Sequence, residues 1–245
     1  MLGSADMLEP HRLIVALDVP TAGEADALVG RLAPLGVAFK IGSQLFTAAG
    51  PDLLRGFVGR GAKVFLDLKF HDIPQTVAAA AREAARLGAF MVNVHALGGA
   101  EMMRAGREGA AAGAADAGLP RPLVLAVTVL TSHTEASLRE VLGAAVPLVP
   151  TAARLATQAK AAGLDGVVAS PHEVAAIRAV CGSAFTIVAP GIRLPGAPPD
   201  DQRRTMAPAE AIRAGADALV VGRPILHAAD PAGATRAILE ELAGA

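Results

Sequence analysis

The chain has 245 residues, of which 53% are hydrophobic, and a formal net charge of −1. That is enough apolar material for one large domain or two small ones, and it excludes global disorder. A near-neutral chain with no Lys/Arg run is not built to bind nucleic acid, and no apolar run reaches the ~20 residues that span a membrane.

Apolar runs rich in Val, Ile and Leu alternate with Ala-rich helical patterns along the chain. Residues 13–19 are expected to form the first strand and 22–35 its helix. A second strand over 38–41 precedes a helix over 44–60. The third strand covers 64–69, and its helix runs from Pro74, a good first-turn residue, to Leu87, where Gly88 stops it. Residues 90–95 make the fourth strand and 99–117 its helix. The fifth strand, 123–130, is followed by a long connection through Pro147 and Pro150 to a helix ending near Ala162. The sixth strand is 166–169, with a helix over 171–180. The seventh is 186–189 and the eighth 218–221, and a last helix covers 231–243.

Near-continuous apolar strands mark parallel strands covered on both faces. Eight strand–helix units in series predict an α/β fold, a single-domain (β/α)8 TIM barrel over 1–245, of about the usual length. The alternative, a doubly wound sheet, usually has a Gly-rich turn after its first strand; here the chain reads Leu17-Asp18-Val19-Pro20. Residues 1–12 form an N-terminal extension with acidic residues and no apolar core, so it is not read as a secretory signal. The Pro/Gly-rich segment 191–206 falls between the seventh strand and its helix, where a mobile active-site loop fits better than a linker. Cys181 stands alone, which fits a cytoplasmic location, and reads as a small buried hydrophobe.

Barrel chemistry collects at the C-terminal strand ends. Those positions carry Asp18, Lys40, Asp67 with Lys69, His95, Thr128 to Thr131, Ser170, Gly191 with Arg193, and Gly222 with Arg223. Asp67 and Lys69 lie at i and i+2 of a strand and so share a face, roughly 6–7 Å apart along it. Asp72 lies just beyond, where a loop can bring it back. An unpaired Lys40 inside an apolar run would be costly. The simplest arrangement is an alternating array of Lys40, Asp67, Lys69 and Asp72, either catalytic or an ion network that plugs the barrel. Gly222 permits close backbone approach and Arg223 can fork onto a phosphate; with Gly191, Arg193 and Gln202 they suggest a phosphorylated small molecule. His71, Asp72 and His95 could in principle hold a metal, but hydrogen-bonding core histidines are the more common case.

These residues together resemble the orotidine 5′-phosphate decarboxylase family, essentially end to end. The resemblance is carried by Leu17-Asp18, Phe39-Lys40, Asp67-Leu68-Lys69-Phe70-His71-Asp72-Ile73-Pro74, Val127-Thr128-Val129-Leu130-Thr131-Ser132, Ala189-Pro190-Gly191-Ile192-Arg193, Asp201-Gln202 and Gly222-Arg223-Pro224. The D-x-K-x-x-D element also occurs in related phosphosugar decarboxylases and aldolases; the combination with Lys40, Leu130-Thr131-Ser132 and the Gly-Ile-Arg loop is far more specific. The resemblance implies cofactor-independent, metal-free conversion of orotidine 5′-phosphate to UMP. It makes Lys69 the acid at C6 and sets Asp67 against the substrate carboxylate. Lys40 and Asp18 would hold the ribose, Thr131 the pyrimidine, and Arg193, Gln202, Gly222 and Arg223 the phosphate. Asp72 would reach the neighbouring site of a homodimer, and Ile73 and Thr76 would also contact substrate. Two other readings are a magnesium-dependent relative acting on a keto-sugar phosphate and a non-catalytic phosphate-ligand binder.

Overall fold

The computed structural model describes residues 11–193 and 205–245. Eight parallel strands close into a barrel in sequence order: β1 (Leu13–Ala16), β2 (Ala38–Gly42), β3 (Val64–Phe70), β4 (Met91–His95), β5 (Leu123–Val127), β6 (Gly166–Val168), β7 (Thr186–Ala189) and β8 (Ala218–Val221). The helices α1 (Ala22–Leu32), α2 (Ser43–Ala49), α3 (Pro51–Gly59), α4 (Pro74–Arg86), α5 (Gly99–Ala117), α6 (Glu135–Leu142), α7 (Leu148–Ala161), α8 (Val174–Cys181), α9 (Pro208–Arg213), α10 (Arg223–Leu226) and α11 (Pro231–Ala243) lie between and after the strands.

Several boundaries differ from the sequence expectation, each for a local reason. The helix expected over 44–60 is two helices. Gly50 takes φ +72° between them, and Pro51, lacking an N–H, opens the second. β1 ends at Ala16 and β5 at Val127, so Asp18 and Thr131 lie on the loops at the barrel mouth. The stretch expected as a long connection contains α6, capped by Thr134, whose hydroxyl accepts from the Ser137 N–H, and closed by left-handed Gly143. α9 is the helix expected, without bounds, after the seventh strand, whereas the short α10 was not expected; both open with Pro in the first turn.

The strands separate two apolar regions. Inside the barrel are Ile14, Ala16, Ala38, Phe65, Met91, Leu125, Val127, Val168, Val188 and Val220. The alternate strand residues pack outward against the helices, with Val15, Phe39, Leu66, Val92 and Ile187 fully or almost fully buried. α4 and α5 lie close together because α5 presents Gly109 and Gly113 to the backbone carbonyls of Ala78 and Arg82. At the N-terminal face, Arg121 forks onto Asp165, and Arg178 ties Asp217 to the carbonyls of Gly215 and Phe185. Those pairs brace the face opposite the mouth, where stability determinants of barrels concentrate.

Candidate active site

Strand alternation builds the site. On β1, inward Ile14 and Ala16 lead to Asp18; on β2, Ala38 leads to Lys40; on β3, Phe65 leads to Asp67; on β4, Met91 leads to Asn93. An apolar barrel floor thus gives way, one pleat higher, to a polar layer. Lys40 and Asp67 are buried and Asn93 is inaccessible to solvent.

Buried charges need partners, and here they form an unbroken chain. Lys40 Nζ lies 3.1 Å from Asp18 Oδ1 and 3.3 Å from Asp67 Oδ2; Lys69 Nζ lies 2.7 Å from Asp67 Oδ1. Two carboxylates and two ammoniums alternate, so the array is neutral within one chain. Burial alone pushes the Asp67 pKa up. Lys40 and Lys69, with hydrogen bonds from Lys69 and Asn93, outweigh that push and hold the carboxyl below its ordinary value. Asp67 is therefore ionised at neutral pH. The Lys69 side chain remains about one-third exposed, at the open end of the chain of charges.

Lys69 reaches that position through a distorted backbone. The β3–β4 register shifts between Leu66, opposite Val92, and Phe70, opposite Val94. Lys69 has φ +53°, the single positive φ of a non-glycine among the described residues. A left-handed non-glycine residue costs about 1–3 kcal/mol and persists only where its surroundings enforce it. Beside it, the His71 and His95 rings stack with centroids 5.4 Å apart. Burial, His71 and Lys69 together lower the His95 pKa against the opposing pull of Asp67, which keeps the ring neutral near pH 7.

The array opens into a cavity at the C-terminal strand ends. Asp18, Lys40, Asp67, Lys69, Thr131, Gly191, Arg193, Gly222 and Arg223, all expected site residues, line it together. Val127, Val129, Leu130 and Val168 supply an apolar wall. At the base of the loop after β7, Arg193 N–H donates to the Met206 carbonyl (3.0 Å) and Met206 N–H donates to the Gly191 carbonyl (3.2 Å). Gln202 lies outside the described residues.

Asp72, Ile73 and Thr76 do not join the others. They are exposed at the start of α4, off the cavity lining, and the Asp72 carboxylate accepts from the Ile73 N–H at 2.6 Å. The fourth member of the array in this chain is thus Asp18 rather than Asp72, because β3 ends at Phe70 and the chain then turns outward into α4. Sequence reasoning missed Asn93. A lone Asn within Met91-Val92-Asn93-Val94 was the available signal, since a polar residue inside a buried parallel strand needs specific partners. Among the described residues no group of three or more His, Cys, Asp or Glu is disposed to hold a metal ion, and no helix is long and apolar enough to cross a membrane.

Residues 11–238 match the Orotidine 5'-phosphate decarboxylase / HUMPS family. The chain is 50% identical over 240 residues to the orotidine 5'-phosphate decarboxylase of Moorella thermoacetica, covering 97% of this chain and 95% of the relative. It is 54% identical over 232 residues to that of Alkalilimnicola ehrlichii, covering 95% and 96%. The crystal structure of the enzyme of that name from Lactobacillus acidophilus superposes with a TM-score of 0.85 at 39% identity, covering 95% of this chain and 99% of the other.

Proposed function

The chain belongs to the Orotidine 5'-phosphate decarboxylase / HUMPS family and is a carboxy-lyase that converts orotidine 5′-phosphate to UMP and carbon dioxide in pyrimidine biosynthesis; from that premise we infer that Lys69 delivers the proton to C6 from within the Asp18–Lys40–Asp67–Lys69 array. The observation that carries this reading is the unbroken ion chain in the cavity, with Lys69 at its accessible end.

Loss of carbon dioxide from C6 leaves a carbanion with little resonance stabilisation. A fixed ammonium aimed at that carbon stabilises the charge as it develops, with no solvent to reorganise. Asp67 keeps the Lys69 side chain oriented through their 2.7 Å contact, and its own carboxylate lies where the substrate carboxylate must fit. The C6–CO2 bond breaks, its electron pair stays on C6, and Lys69 Nζ gives up one proton to form the C6–H bond of UMP. Lys40 and Asp18 hold the ribose hydroxyls, and Thr131 contacts the pyrimidine. Arg193, Gln202, Gly222 and Arg223 hold the phosphate, whose binding energy is remote from the reacting bond and still lowers the barrier where it is realised only in the transition state. No cofactor enters this scheme; turnover should continue with a chelator present, which separates it from a magnesium-dependent sugar-phosphate reaction. A cytoplasmic location suits a chain whose one cysteine, Cys181, is a buried thiol.

The enzyme works as a homodimer in this reading, with Asp72, Ile73 and Thr76 serving the partner's cavity. Their exposure at the start of α4, off their own cavity, supports it, with Ile73 65% exposed. Mixing inactive Asp72→Asn with inactive Lys69→Ala tests this. After subunit exchange, one site of each hybrid has both native residues and the other has neither, so about a quarter of wild-type sites should be restored. No recovery after verified exchange would place Asp72 in its own subunit's chemistry.

A further inference from the structure

We propose that Asn93 is a positioning residue for the decarboxylation, closing the β3 bulge so that both the Lys69 backbone and the Asp67 carboxylate are fixed. The proposal rests on the roles inferred above for Lys69 and Asp67. Between the paired positions Leu66–Val92 and Phe70–Val94, three residues of β3 oppose the single residue Asn93. Such a bulge strands backbone groups that a regular ladder would satisfy. The Asn93 side chain takes over one of them: Lys69 N–H donates to Asn93 Oδ1 at 2.8 Å. The other end of the same amide, Nδ2, donates to Asp67 Oδ1 at 2.6 Å.

An amide does both tasks without needing a proton, as a carboxyl at this position would. One end must accept from a backbone N–H while the other donates to a carboxylate, and the reversed orientation would set oxygen against oxygen and donor against donor. Asp67 Oδ1 is also the oxygen that accepts from Lys69 Nζ, and Oδ2 faces Lys40. Asn93 therefore orients the carboxylate plane so that each oxygen meets its own ammonium. It also holds Lys69 in the left-handed conformation that turns its side chain toward the array. Asn93 is fully buried and does not line the cavity, so it acts through Asp67 and Lys69 and not on substrate.

Two variants test the proposal, Asn93→Leu, which keeps the γ-branched shape at a larger volume and loses the amide, and Asn93→Asp, which keeps an acceptor for Lys69 N–H. Asp67 and Lys69 from β3 meet Asn93 directly; Lys40 from β2 lies behind Asp67 and Asp18 behind Lys40, with the His71–His95 pair at the strand ends. In Asn93→Leu, kcat should fall about 100-fold while the affinity for UMP, measured by titration calorimetry, stays within about threefold. In Asn93→Asp, two adjacent carboxyls share a proton, so the Asp67 site stays protonated to higher pH; the acidic limb of kcat should move up by about one pH unit or more, with activity recovering as pH rises. A folded Asn93→Leu enzyme with kcat near the parent's would overturn the proposal. So would parallel losses of kcat and UMP affinity with an unmoved acidic limb in Asn93→Asp. If Asn93→Leu does not fold, the limb of Asn93→Asp decides alone. Lys69→Ala is assayed alongside: if it is inactive while Asn93→Leu is active, only the role of Asn93 fails, whereas an active Lys69→Ala removes the reading on which it rests.

Discussion

Replacing Asp67 with Asn removes one charge from the centre of the array and tests how the site is held together. The carboxylate meets Lys69 Nζ at 2.7 Å, Lys40 Nζ at 3.3 Å and Asn93 Nδ2 at 2.6 Å. An amide offers one acceptor oxygen to those three donors, and its own NH2 must face an ammonium. Breaking a buried ion pair from one side costs about 3–5 kcal/mol. Here the cost is reduced, because Lys40 keeps Asp18 at 3.1 Å and the Lys69 side chain is 36% exposed. A net loss of about 2–3 kcal/mol is expected, or a fall in Tm of about 4–12 °C for a chain of this size. Thermal denaturation by circular dichroism at low and high salt is the assay. The deficit should change little with salt, since the pair around Asp67 is buried. An Asp67→Asn protein as stable as the parent, or more stable, would refute the view that the array is a mutually satisfied set.

The same variant carries a pH prediction: because the native Asp67 pKa is lowered, its contribution is complete above the unfolded value, about 3.9, and is lost as pH falls through that value toward the native one. The Tm gap between parent and Asp67→Asn should therefore be constant from neutrality to about pH 5 and close only below about pH 4. At Gly109 an added Cβ would stand 2.1 Å from the Ala78 carbonyl oxygen, so Gly109→Ala should force α4 and α5 apart at a cost of about 1–3 kcal/mol, seen as a lower Tm with unchanged kcat for the folded enzyme. Arg223→Ala should lower kcat/KM for orotidine 5′-phosphate by about 3 kcal/mol of transition-state stabilisation and barely alter the slow turnover of orotidine, which lacks the phosphate; a large drop with orotidine would mean that Arg223 shapes the pyrimidine site.

The barrel was legible because its strands are buried on both faces and its helices repeat between them, so eight apolar runs could be placed within a few residues. Ends depending on one residue's backbone were less clear. Gly50 and Pro51 divide what composition alone presents as one helix, and α6 was hidden because its helical stretch is short and its cap, Thr134, lies in a polar loop. The site's membership could be read from strand-end charges, and Lys40, Asp67, Lys69, Thr131, Arg193, Gly222 and Arg223 do share one cavity. Its wiring could not. Alternation predicted that Asp67 and Lys69 share a face, but a bulge with a left-handed lysine is a tertiary feature enforced from β4 by Asn93. Asp72 looked like an array member because it is close in sequence, whereas the outward turn into α4 separates it from Lys69 and leaves Asp18 to complete the ion chain.

The central claim is that Lys69, held at the end of the array, supplies both the stabilising charge and the proton at C6. Lys69→Ala tests it most directly, in a steady-state assay following loss of orotidine 5′-phosphate absorbance with chelator present and folding checked by circular dichroism. Removing a general acid costs typically ~10²–10⁴ and a preorganised charge a further ~10²–10³, so turnover by the folded variant should fall at least ~10⁴-fold. A folded Lys69→Ala enzyme that kept more than about a hundredth of parent activity would contradict the assignment.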